Sequence, residues 1–419
     1  MAIQQNRAAQ HVAVIGGGIV GILCAWSLLR AGLKVTLIER DLFGRGCSTG
    51  NAGSVSAGSV APLGMPGMWK KVPGWLIDPD GPLHIRTDHA LQVVPWLIRF
   101  VRASSRERVE AISHALKALT APSIDIYREV VQEIDAPSLL ETTGQLQLYT
   151  SDAARGNDAD GWNLRRARGV TVREVDAGEI QELEPAVGRQ FTHGIYLPNE
   201  GMIVNPSRLL RELAESFTAR GGVVKEWGVK GFDIVADKSV RILCDGGIVG
   251  PDTIVIAAGV WSQSLAAQLG DSLPLESQRG YHVSFPQSGV NIKRTVVASE
   301  AKCFATPMED GLRVAGTVEF SSPDAPASPR RVEALLRHSK RLFPSLSTAM
   351  YSDWMGNRPC MPDSLPVIDR ASKFPSVIYA FGHGHLGITC APMTSRVVTD
   401  LVLDRPVSID LQPYSRSRF

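Results

Sequence analysis

The stretch His11-Val-Ala-Val-Ile-Gly-Gly-Gly-Ile-Val-Gly21 passes from an apolar run directly into a group of glycines. Val12 to Ile15 have the length and composition of a fully buried parallel strand, so the sequence predicts a strand that ends in a tight turn. The glycines follow the G-x-G-x-x-G spacing, which is typical of a turn that opens a helix. The start of a helix offers free N–H groups and a favourable dipole to a phosphate. The stretch therefore predicts a binding site for the pyrophosphate of a nucleotide.

Each glycine of this turn has a separate predicted task. Gly16 makes the tight turn, Gly18 lets the pyrophosphate approach the backbone, and Gly21 lets the helix pack closely on the strand. Ile19 and Val20 begin that helix, and their N–H groups are predicted to face the phosphates.

The segment that follows completes a strand–helix–strand unit. The helix is predicted over residues 19–30, with Gly32 as its C-terminal stop, and Leu33 to Glu39 as the next strand. Glu39 ends this strand, where its carboxylate is expected to accept hydrogen bonds from ribose hydroxyls. The ordered combination of strand, glycines, helix, strand and acid is much more specific than the glycine pattern alone.

Length and composition describe an ordinary globular enzyme. The 419 residues exceed what one hydrophobic core usually supports, so we expect two lobes. The 44 basic and 42 acidic residues nearly cancel, which gives no support for a nucleic-acid partner. The six cysteines form no C-x-x-C pair, and a reduced cytoplasmic protein is the simplest interpretation.

The apolar run from Val12 to Leu29 could also be taken for a membrane span or a signal-peptide core. We reject this interpretation because three consecutive glycines interrupt it and a strand pattern follows it. The segment from Pro62 to Pro82 contains aromatic residues, including Trp69, beside two lysines at 70 and 71. It is predicted to be either a membrane-facing loop or a lid packed on the core, and both interpretations stay open. Past Pro95 the pattern becomes helical.

Two later segments resemble the first strand and turn. Ile254 to Gly259 is a buried apolar strand that ends in glycine and leads to Trp261, and it is predicted either to bring backbone to the adenosine half of the nucleotide or to be a plain core strand. Tyr379 to Gly387 is a strand, a glycine-rich turn and the start of a helix, which points N–H groups at an electron-rich ligand. Its histidines, at 383 and 385, have no third metal ligand at a suitable spacing, so no metal is predicted.

These motifs together resemble the FAD-dependent D-amino-acid oxidase superfamily, and within it the bacterial D-amino-acid dehydrogenases. The resemblance extends from about residue 10 to 404. It is carried by the glycine turn and by Ser48-Thr-Gly-Asn-Ala-Gly53, Arg279-Gly-Tyr-His282, Trp354-Met-Gly-Asn-Arg-Pro-Cys-Met-Pro-Asp363 and Gly382-His-Gly-His-Leu-Gly387.

The resemblance implies an α/β fold with FAD as cofactor. It implies a glutathione-reductase-like, Rossmann-type FAD-binding domain and an α+β substrate domain built on an antiparallel or mixed sheet. The expected division assigns residues 1–94, 199–268 and 352–419 to the FAD-binding domain and residues 95–198 and 269–351 to the substrate domain.

The resemblance also implies roles for individual residues. Besides the glycine turn and Glu39, the residues expected to bind FAD are Arg40, Ser48, Thr49, Asn51, Ala52, Gly53, Val229, Gly259, Trp261, Gly384, His385, Leu386, Gly387, Ile388 and Thr389. Among them, residues 386–389 are expected to meet the flavin ring, and Val229 to contact the adenine through its backbone.

The implied reaction needs little acid–base chemistry from the protein. Oxidation of an amino acid at Cα requires hydride delivery to flavin N5 and a fixed substrate pose, and the resulting imine is hydrolysed by water to a 2-oxo acid. A carboxylate anchor is the main requirement, and arginine offers the bidentate fork for it. Arg358 occupies the Gly-x-Arg-Pro position whose arginine binds the substrate carboxylate in similar enzymes, with a structural salt bridge as the alternative. Tyr281 and His282 are candidates to line the pocket, with core packing as the alternative.

Three functional interpretations stay open at this point. The first is an FAD-dependent dehydrogenase of D-amino acids that passes electrons to a quinone or another carrier. The second keeps the flavin but acts on glycine, sarcosine or a cyclic secondary amine such as D-proline or hydroxyproline. The third is a flavin-binding subunit without turnover. The expected location is the cytoplasm, with possible peripheral contact to the inner face of the membrane, and the oligomeric state is not predicted.

Overall fold

A computed structural model describes residues 10–41, 46–70, 72–78, 80–235 and 239–419. Its α-helices are α1 Ile19–Arg30, α2 Val72–Ile77, α3 Ala90–Ala103, α4 Arg106–Thr120, α5 Ser123–Glu133, α6 Asp152–Gly156, α7 Ala159–Ala167, α8 Ala177–Leu183, α9 Pro206–Ala219, α10 Ser262–Gln268, α11 Pro329–Leu342 and α12 Gly387–Val402.

The chain also forms twenty-one strands among the described residues. They are β1 His11–Ile15, β2 Lys34–Ile38, β3 Ser54–Val55, β4 Leu83–Ile85, β5 Leu140–Glu141, β6 Gln145–Tyr149, β7 Arg173–Asp176, β8 His193–Leu197, β9 Gly201–Ile203, β10 Val223–Lys225, β11 Val229–Ile234, β12 Val240–Cys244, β13 Gly247–Val249, β14 Thr253–Ile256, β15 Glu276–Phe285, β16 Thr295–Ala298, β17 Cys303–Met308, β18 Gly311–Phe320, β19 Ser352–Cys360, β20 Val367–Arg370 and β21 Val377–Phe381.

The first lobe is built on a mostly parallel sheet with the strand order β10-β2-β1-β14-β21-β20. Strand β1 pairs in parallel with β2 and β14, and only β20, at one edge, runs antiparallel to its neighbour β21. Helices α1 and α12 cover one face, because their apolar sides and those of α4, α5 and α9 share one buried core. This is the predicted nucleotide-binding architecture. Strand β1 leads into the first glycine turn and β21 leads into the last one, and only β14 lies between them in the sheet.

The second lobe is built on a large mixed sheet in the order β19-β15-β18-β17-β16-β6-β8-β7, with β4 paired to β18. Most of its pairs are antiparallel, whereas β16 with β6 and β4 with β18 are parallel. Helix α11 packs on one face of this sheet through apolar residues such as Leu335 and Leu342. The predicted antiparallel or mixed sheet of the substrate lobe is therefore confirmed.

Two features of the chain change the division that we propose between the lobes. Strand β19, Ser352–Cys360, belongs to the large sheet, so we place the last boundary after Cys360. Helices α4 and α5 pack into the core of the first lobe, where Leu116 and Tyr127 are fully buried, so we assign them to that lobe.

Helix α3 begins earlier than the sequence pattern indicates. It starts at Ala90 and includes Pro95, which was expected to precede the helix. A proline inside a helix leaves the carbonyl four residues earlier without its N–H partner. That residue is Leu91, which is 88% exposed, so water can take the place of the missing donor. Among the described residues, no helix is long and apolar enough to cross a membrane.

Candidate functional site

The glycine turn after β1 has no room for side chains. Gly16 has a φ of +107°, and a Cβ built on it would lie 2.4 Å from the carbonyl oxygen of Ala257 at the end of β14. A Cβ at Gly21 would lie 1.8 Å from the carbonyl oxygen of Gly16. Helix α1 can approach β1 this closely only because both positions are glycine.

The N-terminus of α1 meets the segment that carries Ser48. The N–H of Ile19 donates to the Ser48 hydroxyl oxygen at 2.9 Å, and Val20 follows in the first turn. The N–H of Gly18 has no acceptor among the described residues, and a Cβ at Gly18 would stand 3.2 Å from the same hydroxyl. The helix therefore begins with an available N–H group next to a small hydroxyl side chain, an arrangement that fits an anion.

The carboxylate of Glu39 turns back toward the glycine turn. One oxygen accepts a hydrogen bond from the N–H of Gly17 at 2.6 Å, and the other accepts from the N–H of Asp41 at 3.0 Å. Each carboxylate oxygen has a further lone pair, so the group can still accept hydrogen bonds from two hydroxyls. The structure thus fits the expected contact with a ribose.

Arg40, which follows this acid, lies near three other predicted cofactor residues. The guanidinium of Arg40 stands 3.9 Å from the ring centroid of Trp261. Gly259, with a φ of +57°, begins the short 3₁₀ turn that carries Trp261. Val229 is the first residue of β11, and its neighbour Gly228 lies beside Arg40, with 3.9 Å between a built Cβ and the Arg40 Cβ.

The predicted small-residue segment, which we call the 48–53 loop, is held by the large sheet. Arg313 of β18 donates to the carbonyl oxygens of Thr49 and Asn51 at 3.3 and 2.8 Å. Asn51 also accepts a hydrogen bond from the N–H of Gly53 through its side chain, and Ala52 lies between them. Sequence reasoning missed Arg313, although a charged residue between Leu312 and Val314 in an apolar strand was a local signal of a buried charge with a task.

His282 holds the same loop from the neighbouring strand. Its Nδ1 lies 2.9 Å from the carbonyl oxygen of Gly50, to which it donates. Burial and then the positive charge of Arg313 lower the pKa of His282 to about 4, so the imidazole is neutral. Its ring stacks on Trp354 with 5.2 Å between centroids, and a Cβ at Gly50 would enter the Trp354 ring. The structure therefore gives His282 a role in loop support rather than an open position in a pocket.

The glycine-rich turn near the C-terminus lies against the start of β3. Gly384 to Leu386 form a 3₁₀ turn, and α12 follows from Gly387. The hydroxyl of Thr389 accepts a hydrogen bond from the N–H of Ser56 at 3.3 Å. The first turn of α12, which follows this glycine-rich turn, therefore contacts the segment after the 48–53 loop.

Helix α5 fixes the first turn of α12. Pro392 lacks the N–H that would bond to the carbonyl oxygen of Ile388, and the Tyr127 hydroxyl donates to this oxygen instead at 2.6 Å. The Ser123 hydroxyl lies 2.5 Å from the carbonyl oxygen of Thr389 and 2.5 Å from that of Thr120, and it can donate its single proton to either. Both bonds come from side chains that the sequence alone did not connect with the site.

The two histidines of this turn have different surroundings. His383 is buried, its Nε2 lies 3.0 Å from the Thr394 hydroxyl, and desolvation lowers its pKa to about 3. His385 is exposed on one side, while desolvation by the protein around it and then the charge of Arg358 lower its pKa to about 4. In the described part of the chain, no group of three or more His, Cys, Asp or Glu residues could hold a metal ion.

Arg358 extends from β19 across the neighbouring strand β15. Its guanidinium donates to the carbonyl oxygen of Thr317 on β18 at 3.2 Å, and it is half-buried. No carboxylate of the described residues pairs with it, which leaves most of its five N–H groups for a ligand. Strand β19 contacts the Gly384–Leu386 turn region through the bridge between Cys360 and His383, and the 48–53 loop through Trp354 against Gly50. An unpaired guanidinium on this strand fits a substrate carboxylate.

Two neighbouring side chains belong to the opposite face of the large sheet. Tyr281 is 1% exposed, packs in the core under α11, and donates to a carboxylate oxygen of Glu319 at 2.5 Å. Arg279 is fully buried and lies 3.4 Å from the same carboxylate. Side chains alternate across a strand, so Tyr281 cannot share the face of Gly280 and His282. We therefore do not keep Tyr281 as a pocket residue.

Comparisons with known proteins agree with this geometry. The family model described as FAD dependent oxidoreductase matches residues 11–401. The chain is 36% identical to a D-amino-acid oxidase of Bradyrhizobium diazoefficiens, over 98% of this chain and 99% of that one. It is 30% identical to a D-amino acid dehydrogenase of Paramagnetospirillum magneticum, over 97% of this chain and 98% of that one.

Solved structures show the same fold at lower sequence identity. Glycine oxidase from Geobacillus kaustophilus superposes with a TM-score of 0.74 at 23% identity, covering 98% of this chain and all of that one. L-proline dehydrogenase from P. horikoshii gives a TM-score of 0.75 at 18% identity, with 98% of each chain covered. The two lobes, the glycine turn with its acid and the full-length matches lead to one assignment: the protein is an enzyme of the FAD-dependent oxidoreductase family.

Proposed function

We propose that the enzyme oxidises D-amino acids at Cα, giving an imine that water hydrolyses to the 2-oxo acid and ammonia. The observation that carries the proposal is Arg358, a half-buried guanidinium without an anionic partner among the described residues. When bound, FAD supplies the hydride acceptor of the reaction. The names of the two full-length relatives support D-amino acids as the substrate class.

The role of Arg358 follows from its position and chemistry. A planar guanidinium can form two parallel hydrogen bonds to a carboxylate, which fixes the rotation of the substrate as well as its place. A fixed carboxylate limits which hydrogen of Cα can face the flavin. Orientation of this kind supplies a large share of catalysis in reactions that need no acid or base from the protein.

We propose that the other site residues hold FAD in two groups. The adenosine and pyrophosphate group comprises Gly16, Gly18, Ile19, Val20, Gly21, Glu39, Arg40, Val229, Gly259 and Trp261. The group for the central part and the flavin comprises Ser48, Thr49, Asn51, Ala52, Gly53, Gly384, His385, Leu386, Gly387, Ile388 and Thr389. Support comes from the glycines at close approaches, from the hydrogen bond between Ile19 at the start of α1 and Ser48, and from the hydrogen bond between Thr389 at the start of α12 and Ser56.

The substrate class can be tested by anaerobic mixing of the purified enzyme with single compounds while the flavin absorption band is recorded. We expect D-amino acids to bleach the band and L-amino acids to leave it unchanged. Bleaching by glycine, sarcosine or D-proline alone would support the second interpretation, an enzyme that acts on glycine, sarcosine or a cyclic secondary amine. A band that no amine substrate bleaches would support a flavin protein without turnover and would overturn the proposal.

Glu39 offers a test of the adenosine site that does not depend on turnover. Replacement of Glu39 by arginine puts positive charge where ribose hydroxyls need an acceptor, so the Kd of the apoprotein for FAD should rise about tenfold to a hundredfold. Quenching of FAD fluorescence on titration measures this constant. Glu215→Gln, an exposed change on α9, serves as the control. Unchanged affinity in the Glu39 variant would show that the ribose is held elsewhere.

We also propose that the electron acceptor is a membrane quinone and that the cytoplasmic enzyme touches the inner face of the membrane. The support is one outer face of α3, which we call the α3 face. It consists of apolar side chains at a helical spacing, with 43–88% exposure: Leu91, Val94, Ile98 and Val101. Helix α3 carries two arginines and no acidic residue, which suits an anionic lipid surface.

Helix α3 also lies close to β19, the strand that carries Arg358. The indole N–H of Trp96, on the buried side of α3, donates to the carbonyl oxygen of Cys360 at 3.1 Å, two residues after Arg358. The segment before α3 adds Trp69, which is 58% exposed with the Lys70 ammonium 5.7 Å from its ring centroid. The other lysine of that segment, at 71, lies outside the described residues.

Vesicle binding tests this surface. The double variant Leu91→Ser, Ile98→Ser should co-sediment with phosphatidylglycerol vesicles at least about tenfold less than the parent enzyme, because two apolar side chains are removed from the contact. Ile248→Ser, which changes an apolar residue 59% exposed on β13, is the matched control and should bind normally. Equal binding by parent and double variant would contradict the proposal, as would a parent dimer in light scattering that the double variant loses.

A further inference from the structure

One residue inside a strand of the large sheet has a backbone conformation that its side chain disfavours. Thr317 of β18 has a φ of +52°. The other non-glycine residues with positive φ in the described part of the chain lie in turns and bends, whereas Thr317 is β-branched and lies within a strand. Such a conformation is strained and persists only where the surrounding structure fixes it.

The strain coincides with an extra residue in β18. On β15 a single residue, Gly280, lies between Arg279 and Tyr281, whereas two residues of β18, Thr317 and Val318, lie between their partners. This is a β-bulge, which takes a residue out of the regular ladder and turns its backbone groups. The hydroxyl of Thr317 is also buried without a hydrogen-bond partner among the described residues, a second unfavourable feature at the same position.

The carbonyl group that the bulge turns outward reaches Arg358. The sheet order is β19-β15-β18, so the Arg358 side chain must cross the whole width of β15 to meet the Thr317 oxygen. It crosses at Gly280, where a built Cβ would lie 2.2 Å from the Arg358 Cζ. Gly280 does not have a positive φ, so glycine is needed here for space rather than for conformation.

We propose that Gly280 and the bulge at Thr317 form a seat that positions the Arg358 guanidinium for the substrate carboxylate. Gly280 leaves space for the Arg358 side chain to cross β15. The Thr317 carbonyl oxygen accepts a hydrogen bond from one guanidinium N–H and so fixes the plane of the guanidinium. The remaining N–H groups then face the ligand in a set orientation, so little side-chain entropy is lost when the substrate binds. Both residues are positioning residues, and the inference rests on the proposed role of Arg358.

The seat can be tested by double-mutant cycles with benzoate as a carboxylate probe and benzamide as its neutral counterpart. In Gly280→Ala holoenzyme we expect the Kd for benzoate, read from the flavin spectrum, to rise at least about thirtyfold, with benzamide binding unchanged. The same substitution in an Arg358→Leu background should cause no further loss. Equal loss in both backgrounds would show that Gly280 acts on the fold and not through the arginine.

The variant Thr317→Gly provides a second test of the seat, which does not depend on whether the fold tolerates Gly280→Ala. Glycine accepts a positive φ without strain, so the melting temperature should rise while the bulge loses its rigidity. We expect KM for the best substrate to rise about threefold to tenfold with less change in kcat. Asp135→Gly, which relieves a similar φ of +58° at an exposed turn, is the matched control and should leave KM unchanged.

The outcomes separate the seat from the proposed function. If Arg358→Leu leaves benzoate binding unchanged, the anchor itself is elsewhere, and the proposed role of Arg358 fails. If Arg358→Leu weakens benzoate but Thr317→Gly leaves KM unchanged and Gly280→Ala, when folded, binds benzoate normally, only the seat is overturned.

Discussion

Replacement of Arg358 by leucine should lower kcat/KM for the best D-amino acid at least about a hundredfold, while FAD content and folding stay normal. The guanidinium binds the substrate carboxylate in the ground state and in the transition state, and it also sets which face of Cα meets the flavin. Loss of a buried charge partner of this kind removes about 3–5 kcal/mol of transition-state stabilisation. Normal folding is expected because Arg358 has no carboxylate partner that would be left unpaired among the described residues.

Two further variants define the effect. Arg358→Lys should recover only part of the activity, because an ammonium keeps the charge but not the planar fork. Arg330→Leu removes an exposed arginine of the same lobe and should behave as the parent enzyme. Steady-state kinetics with the flavin spectrum as a folding control measures all three. If the leucine variant has kinetics close to those of the parent enzyme, Arg358 does not anchor the substrate and its role is structural.

The local part of the nucleotide site could be predicted because its causes are local. The helix after the glycine turn has the predicted bounds, Ile19–Arg30, and Gly32 has the positive φ of +88° expected of a helix stop. Each of these features depends on residues a few positions apart, where glycine conformation and strand–helix periodicity decide the structure. The confirmed parallel sheet follows from the same signals, because strand–helix–strand units form parallel sheets.

The second half of the site could not be predicted from local patterns, because its residues meet through sheet pairing. Whether Tyr281 or His282 faces the cleft depends on strand register, and a shift of one residue exchanges the two faces of a strand. Arg313 reaches Asn51 of the 48–53 loop from 262 positions away, and the sequence contains no signal that links them. The bulge at Thr317 exists only as a mismatch between two strands, so no single segment encodes it.

The α3 face shows a different limit of sequence reasoning. A helix that is apolar on both sides has a periodicity that fits burial of either side. Trp96 faces the core and Ile98 faces outward with 48% exposure, although both are large apolar residues of one helix. Only the position of β4 and β18 on one side of α3 decides which residues are covered.

Methyl groups added at two glycines of the first turn should separate cofactor binding from folding. In Gly18→Ala the new Cβ would contact only the Ser48 hydroxyl, at 3.2 Å, so the fold should be kept. The methyl group would stand in the space that we assign to the pyrophosphate, and the Kd for FAD should rise at least about a hundredfold. In Gly21→Ala the Cβ would lie 1.8 Å from the Gly16 carbonyl oxygen, so α1 must move away from β1.

The melting temperature of the apoprotein distinguishes the two variants. Overpacking at Gly21 should cost about 1–3 kcal/mol or more of folding free energy, because the obstructing atom is backbone and cannot rotate away. The Gly21→Ala enzyme should therefore purify without the yellow colour of bound FAD, and its apoprotein should melt at a lower temperature, whereas Gly18→Ala apoprotein should melt like the parent apoprotein. Gly74→Ala, with open space around the new methyl group, is the control for both measurements. Parent-like FAD affinity in Gly18→Ala would mean that the pyrophosphate does not approach the turn at this residue, and the site would have to be placed farther along α1.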